Sequence, residues 1–323
     1  MKRTRRYISI ILLISICCAS FGQSGSDSAS TRITLGYPVY SQYLQNGLMI
    51  NPAYAGSREA LSVAISRRNQ WLGIPNGPVL TTVSLHSLMK NNKVALGLMA
   101  EFMDYGVTSS QSVYAVYAYH IKLAKGKLSF GLKTGFNRST TNYSILKGIQ
   151  PGDPVFTGNE KPYILPNVGA GVYYFSNRFF GGVSVPSFLF YKNIGSGKTQ
   201  AYHSFSEYDL IISAGGLISF SQNFRFKPSV LLDYSLRNSS HINQLDINGN
   251  FIIADVLWVG GSYRTTEQVA AGILQVQATP QVMFGVSYDY PAGRMATFSK
   301  GSIEVFLRYE FGSKISAANP RYF

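Results

Sequence analysis

From Ala60 onward the chain alternates apolar and polar positions with period two. In segment 224–237, Phe224, Phe226, Val230, Leu232, Tyr234 and Leu236 fall on one face, and Arg225, Lys227, Ser229, Asp233, Ser235 and Arg237 on the other. In 302–312, Ile303, Val305, Leu307, Tyr309 and Phe311 alternate with Glu304, Arg308 and Glu310; in 243–253, Leu245, Ile247, Phe251 and Ile253 oppose Asp246, Asn248 and Asn250. Fourteen such segments follow one another: 60–68, 78–89, 93–103, 111–123, 127–138, 166–176, 178–189, 208–220, 224–237, 243–253, 256–265, 268–278, 281–290 and 302–312. Period two marks strands with two unlike faces. Repeated at this scale, it predicts an all-β fold, a transmembrane antiparallel β-barrel of about 14 strands with lipid outside and a polar lumen.

The connections agree with that reading. Those after even-numbered segments are short: Asn91-Asn92, Ala124 to Gly126, Asn177, Gln222-Asn223, Asp255 and Pro280. Those after odd-numbered segments are mostly longer: Asn69 to Gly77, Asp104 to Ser110, Ser139 to Leu165, Phe190 to Tyr208 and Pro291 to Gly301, with Asn238 to Ile242 and Thr266-Glu267 as short exceptions. Bacterial barrels have short periplasmic turns and longer outer loops, and an even strand number puts both barrel ends inside. A soluble sandwich gives no reason for loop length to follow strand parity.

Ahead of the first strand stands Asn51-Pro52-Ala53-Tyr54-Ala55-Gly56, led in by Gln42 to Ile50. Pro52 removes a backbone donor and Gly56 permits a turn, so this is ordered, non-strand peptide. It reads either as a turn that starts strand one or as a segment packed into the periplasmic mouth. Fourteen strands enclose more space than the roughly eight whose side chains fill the interior. The stretch Thr31 to Gly56, with Tyr37, Tyr40, Tyr43, Leu44, Leu48 and Met49, is too apolar for a solvated tail, and the barrel interior is its most economical partner.

The first residues read as a secretion signal: Lys2, Arg3, Arg5 and Arg6, then an apolar run from Ile8 to Ala19 too short to span a bilayer as a helix. Cleavage is expected after Gly22. A lipoprotein signal is rejected, because Ile16 or Cys17 stands where a small residue should precede the modified cysteine. The expected organisation is a leader 1–22, an N-terminal periplasmic or plug segment 23–59, a barrel 60–312 and a periplasmic tail 313–323. Cys17 and Cys18, the only two cysteines, both lie in the leader, which leaves no disulfide framework.

Four of the 29 Lys and Arg are in the leader, and the rest still exceed the 15 acids. For an exported chain this excess points to anionic headgroups, glycans or acidic proteins rather than nucleic acid. Chemistry is sparse. His86, His120, His203 and His241 are scattered with no metal-ligand spacing, and neither a nucleophile elbow nor a phosphate loop is present. Gly169-Ala170-Gly171 falls inside a strand, where small residues ease packing. His120 ends an aromatic run (Tyr114, Tyr117, Tyr119) and reads as an interface residue. No catalytic residue, metal ligand or cofactor site is expected. Trp71, in Gln70-Trp71-Leu72-Gly73-Ile74-Pro75, is either a member of the interfacial aromatic girdle or an anchor for a partner.

At these residues the chain resembles the PorP/SprF family of outer-membrane proteins of the type IX secretion and gliding system. A Gln-Tyr pair before Asn-Pro-Ala-Tyr-Ala-Gly matches Gln42-Tyr43 and Asn51, Pro52, Ala53, Tyr54, Ala55 and Gly56. An Arg-x-Gln-Trp-x-Gly block matches Arg68, Gln70, Trp71 and Gly73, followed by Gly77, Pro78 and Thr82. Leu128 to Leu132, Gly169 to Tyr174, Gly182 to Pro186 and Pro320 to Phe323 are similar too. Ser302-Ile303-Glu304 departs from an expected Ser-His-Glu. The resemblance implies a barrel without catalytic activity that assists export or surface attachment of a secreted adhesin or other type IX cargo. It also implies contacts with outer-membrane lipid and a periplasmic peptidoglycan-binding lipoprotein. The rival reading is a passive porin or hydrophobic-substrate channel.

Overall fold

The computed structural model describes residues 40–142, 162–193, 199–237 and 241–312 and the backbone of 32–33. The leader, the C-terminal tail with Pro320 to Phe323, and 143–161 of the Ser139 to Leu165 connection lie outside the described residues. Fourteen strands form the barrel: β1 Leu61–Asn69, β2 Val79–Leu88, β3 Val94–Tyr105, β4 Thr108–Leu123, β5 Gly126–Thr141, β6 Tyr163–Phe175, β7 Phe179–Val185, β8 Asp209–Gly216, β9 Phe224–Ser235, β10 His241–Ile253, β11 Leu257–Arg264, β12 Val269–Gln277, β13 Val282–Pro291 and β14 Ser302–Phe311. Each pairs antiparallel with the next, and β14 pairs with β1 from Ile303↔Asn69 to Phe311↔Leu61, which closes the ring. Helical geometry among the described residues is limited to single 3-10 turns.

The predicted facing holds. On β9, Lys227, Ser229, Leu231, Asp233 and Ser235 are buried in the lumen while Phe224 and Val230 are exposed outside. On β14, Ser302, Glu304, Phe306, Arg308 and Glu310 point inward, and Val305, Leu307, Tyr309 and Phe311 outward. Elsewhere Leu98, Leu132, Phe136 and Ile247 are each at least half exposed on the outer surface. Water would disfavour such a continuous apolar band, and hydrocarbon accepts it.

Two connections differ from expectation. The predicted loop Asp104 to Ser110 shrinks to Gly106 and Val107 between β3 and β4. Gly106 takes φ +59° and Ser109 bonds Asp104, so the polar Thr-Ser run continues the ladder instead of leaving it. The expected turn Gln222-Asn223 is the tip of a longer connection. β8 ends at Gly216, Leu217 turns its N–H to the Arg178 carbonyl, and Ile218–Ser219 re-pairs with β9. Leu217 is pulled partly inward against buried apolar side chains.

The start of β1 and the end of β14 share one rim, here the terminal rim. The opposite rim carries 70–78, 186–193, 199–208 and 292–301 and is the loop rim. There the first and last hairpins are tied together: Leu72 N–H donates to the Gly301 carbonyl and Lys300 N–H to the Leu72 carbonyl.

Candidate functional site

The lumen is filled by the chain's own residues 40–58. Three short 3-10 turns, Tyr43–Gln45, Gly47–Met49 and Pro52–Tyr54, fold this stretch into a plug. Tyr43, Leu48, Met49, Ala53, Tyr54 and Ala55 are all buried. Each large apolar side chain so buried contributes about 1.5–3 kcal/mol. Asn51 begins the last turn with extended backbone, and its Oδ1 accepts from Ala53 N–H at 2.9 Å. Pro52 then occupies the first helical position, where a missing N–H costs nothing. Asn51 to Gly56 therefore form an internal motif, not a mere turn into strand one.

One wall of the lumen receives this motif by being thin. Gly131 on β5 is paired with Gly171 on β6, and Gly182 lies on β7. A Cβ on Gly131 would sit 2.1 Å from Ala53 N, and one on Gly171 2.1 Å from Asn51 Oδ1. Above that dent, Asn51 Nδ2 donates to the Val172 carbonyl at 3.0 Å, and Ser184 Oγ donates to the Ile50 carbonyl at 2.5 Å. Two histidines hold the end of the motif. Gly56 N–H donates to His86 Nδ1 at 3.1 Å, and His120 Nε2 lies 2.8 Å from the Ala55 carbonyl. Complementarity makes His86 Nδ1 the acceptor and His120 Nε2 the donor. His120 is thus a lumen residue, not the interface residue its aromatic neighbours suggest: Tyr117 and Tyr119 face outward and His120 inward.

The opposite wall grips the first part of the plug with charge. Arg68 Nη2 pairs with Asp289 Oδ2 at 2.6 Å and Nη1 with Glu304 Oε2 at 3.4 Å, all three side chains being almost fully buried. Ser41 is bound among them. Its Oγ donates to Asp289 at 2.8 Å and accepts from Arg68 at 2.9 Å, and its N–H donates to Glu304 Oε2 at 2.8 Å. Arg264, paired with Asp246 at 3.2 Å, completes the group. Lower down, Arg308 donates to the Gln45 carbonyl and to its Oε1, each at 3.1 Å, while Arg58 pairs with Glu310 at 2.7 Å. Gln42 bonds the Glu304 carbonyl and Gln275. Tyr43 accepts from Asn248 at 2.7 Å; burial, with Asp246 nearby, pushes its phenol well above the usual range, so it stays neutral.

Spaces of about 20 Å³ beside Tyr43 and Tyr54 and about 10 Å³ beside Tyr40 separate plug from wall, room for about one water each. Toward the loop rim the lumen opens into a vestibule of about 400 Å³, lined by Arg68, Gln70, Trp71, Arg264, Asp289 and Arg294 among others. Trp71 stands at its lip, 41 % exposed and at φ +56°, a conformation bulky residues seldom adopt. Gly73, at φ +95°, packs near Lys300 in the tied hairpins.

Sequence blocks far apart thus converge on one place. Asn51 to Gly56 meet Gly131, Gly171, Gly182 and Ser184, while Arg68, Gln70 and Trp71 run from the ion cluster to the mouth. Ser41, Gln45 and Asp289 were not singled out by sequence reasoning; His86 was read only as one of four scattered histidines, and Glu304 only as a polar position of its strand. The signal that could have found the strand residues was parity, which put Glu304 on the polar face and, carried to the neighbouring strands, would put His86 and Asp289 on theirs. Ile303, the position of the expected histidine, points away from the cluster that Glu304 serves. Among the described residues no group of three or more His, Cys, Asp or Glu is placed to hold a metal.

A membrane-spanning barrel with an apolar exterior and a lumen occupied by its own N-terminal segment defines the class: a plugged outer-membrane β-barrel. Residues 34–309 match the family described as type IX secretion system membrane protein PorP/SprF, and the chain belongs to that family. No curated protein sequence matches it. Among solved structures, the toluene transporter TbuX of Ralstonia pickettii is similar at TM-score 0.50 and 9% identity, covering 82% of this chain and 93% of that one. The CymD monoaromatic hydrocarbon channel has TM-score 0.49, 13% identity, and coverage of 87% and 94%. Outer membrane protein Omp33 of Acinetobacter baumannii has TM-score 0.46, 10% identity, and coverage of 78% and 98%. At such identities the likeness to TbuX is one of fold alone.

Proposed function

We propose that this barrel assists export or surface anchoring of a cognate type IX cargo, a secreted adhesin or similar protein, held at the loop rim outside the cell. It acts by binding protein and not by catalysis. The observation that carries the reading is the filled lumen beneath an open vestibule: the interior is committed to residues 40–58, and the accessible concave surface is at the mouth. Arg68, Gln70, Trp71 and Gly73 lie on or beside that surface. An aromatic anchor at a rigid, tied pair of hairpins loses little entropy on binding. The short turns at the terminal rim face the periplasm in this reading, available to a peptidoglycan-binding lipoprotein, and the leader 1–22 is removed on export.

The test is Trp71→Ala in the native cell. The barrel is expected to assemble normally, while surface levels of the cognate adhesin fall as for loss of a hot spot of about 2 kcal/mol or more. Deleting the whole gene while every surface protein stays in place and small-solute uptake drops would replace this reading with a porin.

A further inference from the structure

The terminal rim is charged on one side only. Its turns 89–93, 124–125 and 176–178, which join β2 to β3, β4 to β5 and β6 to β7, stand side by side. The first two are linked by the His120 N–H to the Lys93 carbonyl, the last two by the Tyr174 hydroxyl to the Lys125 carbonyl. Lys90, Lys93, Lys122, Lys125 and Arg178 are all exposed on this arc. Their side chains have no ion-pair partner among the described residues. A sixth cation, Lys127, is held 2.5 Å from Glu59, the one exposed acid of the arc among the described residues. On the β8 to β14 side the turns hold no lysine, and Arg225 beside them is paired with Asp255. Stacked Phe220, Phe224 and Phe251 occupy that side instead.

The arc is costly by itself. Lys122 and Lys127 are directly opposite in the β4–β5 ladder, and like charges so placed destabilise a sheet. Glu59 answers Lys127, which leaves Lys122 and its neighbours without an anion; one supplied from outside the chain relieves them. The depth of the arc says which kind. Tyr119, Ile121 and Leu123 on β4, Phe130 on β5 and Phe179 on β7 are exposed and face outward close to the turns. An apolar outer face means hydrocarbon up to that level, so the turn tips stand where hydrocarbon ends and headgroups begin. Lys and Arg stems can lie along those side chains and hold their charge among phosphates. An acidic protein approaching end-on would meet the tips but would have no use for the apolar flank.

We infer that the β2 to β7 side of the terminal rim is a binding surface for anionic phospholipid, with Lys90, Lys93, Lys122, Lys125 and Arg178 receiving the headgroup phosphates. The lipid shell around the barrel is then uneven. Anionic lipid collects on the charged side, and the aromatic side takes lipid without regard to charge. None of this depends on what is bound at the loop rim.

In the test, the whole protein is reconstituted in vesicles of equal parts phosphatidylglycerol and phosphatidylcholine. It is then extracted in mild detergent, and the lipids it retains are quantified by mass spectrometry. At low salt the wild type is expected to retain phosphatidylglycerol about fivefold over phosphatidylcholine, the worth of one Lys or Arg at an anionic surface. Salt at about 0.5 M should erase the preference by screening, and this arm needs no variant to fold. The combined variant Lys90→Gln, Lys93→Gln, Lys122→Gln, Lys125→Gln, Arg178→Gln, its folding checked by heat-modifiable gel migration, is expected to retain both lipids equally. Lys192→Gln with Lys300→Gln, both exposed on the loop rim, should keep the preference. Equal retention by the wild type, a preference that survives salt or the combined substitutions, or one lost with the loop-rim pair overturns the inference. Equal retention by the wild type together with binding to immobilised polyglutamate that the combined variant lacks would make the arc a protein contact, and the lipid reading wrong.

Discussion

The two walls that hold the plug work by opposite means. On β5 to β7 the wall contributes chiefly the absence of side chains at three glycines, flanked by Ser184 and Tyr173, and the plug's backbone fills the dent. On β11 to β14 and β1 it contributes long charged side chains that reach in and pair around Ser41, Gln45 and Arg58. The first wall selects by shape and tolerates no added atom. The second selects by charge and tolerates no missing one, since each buried ion depends on its partners. A plug secured by both cannot slide, because the register that suits the dent must also suit the ion pairs.

The largest effect is expected where a charge is removed from the second wall. Arg68→Ala leaves Asp289 and Glu304 buried without their main counter-charge, at a cost of about 3–5 kcal/mol. Arg67→Ala, one residue away but on the outer face, removes one long contact to Thr81 at 3.3 Å and is expected to shift stability by about 0.5 kcal/mol or less. Urea unfolding of the two variants in lipid vesicles measures the difference; equal midpoints would deny that the ion cluster secures the plug.

Next comes the shape-selective wall. Gly131→Ala forces a methyl group against the Ala53 backbone and should cost about 1–3 kcal/mol. Gly272→Ala, on β12, meets nothing within 4 Å and should be silent. Heat-modifiable migration after mild detergent extraction separates the two. A smaller loss, about 1–2 kcal/mol, is expected for Asn51→Ala, which removes the cap of the last plug turn and the bond to the Val172 carbonyl. Single-channel recordings sharpen that case: a loosened plug should add brief openings to an otherwise quiet trace, and an unchanged trace would show that Asn51 contributes stability without sealing. Trp71→Ala sits outside both walls and should change unfolding by no more than about 0.5 kcal/mol.

The charged wall and the glycine wall were not equally legible in the sequence. Strand number and facing follow from period two, so the inward position of Glu304 or Arg308 could be read directly. What those residues face could not, because Gln45 and Arg308 are 263 positions apart and nothing local encodes their meeting. Gly169 and Gly171 on β6 looked like ordinary easing of strand packing, and Gly131 and Gly182 drew no structural reading of their own. Only the plug's path shows that the missing side chain of Gly171 admits Asn51. The β3–β4 connection was misread because Thr and Ser suit both a loop and the polar face of a strand. Trp71 remains on two readings in sequence terms, and its place at the lip of the vestibule is what favours the anchor.

The seam of the ring has a consequence for how the molecule is made. β1 and β14, the strands whose pairing completes the cylinder, also carry Arg68, Glu304, Arg308 and Glu310, the groups that clasp residues 41–58. Those residues leave the ribosome before any strand, and the partners that fix them on β13 and β14 come last. Closure of the seam and docking of the plug are therefore expected to occur together, because both draw on β1 and β14. A peptide spanning 40–58, added to a barrel made without it, should then fail to restore the unfolding midpoint of the whole chain.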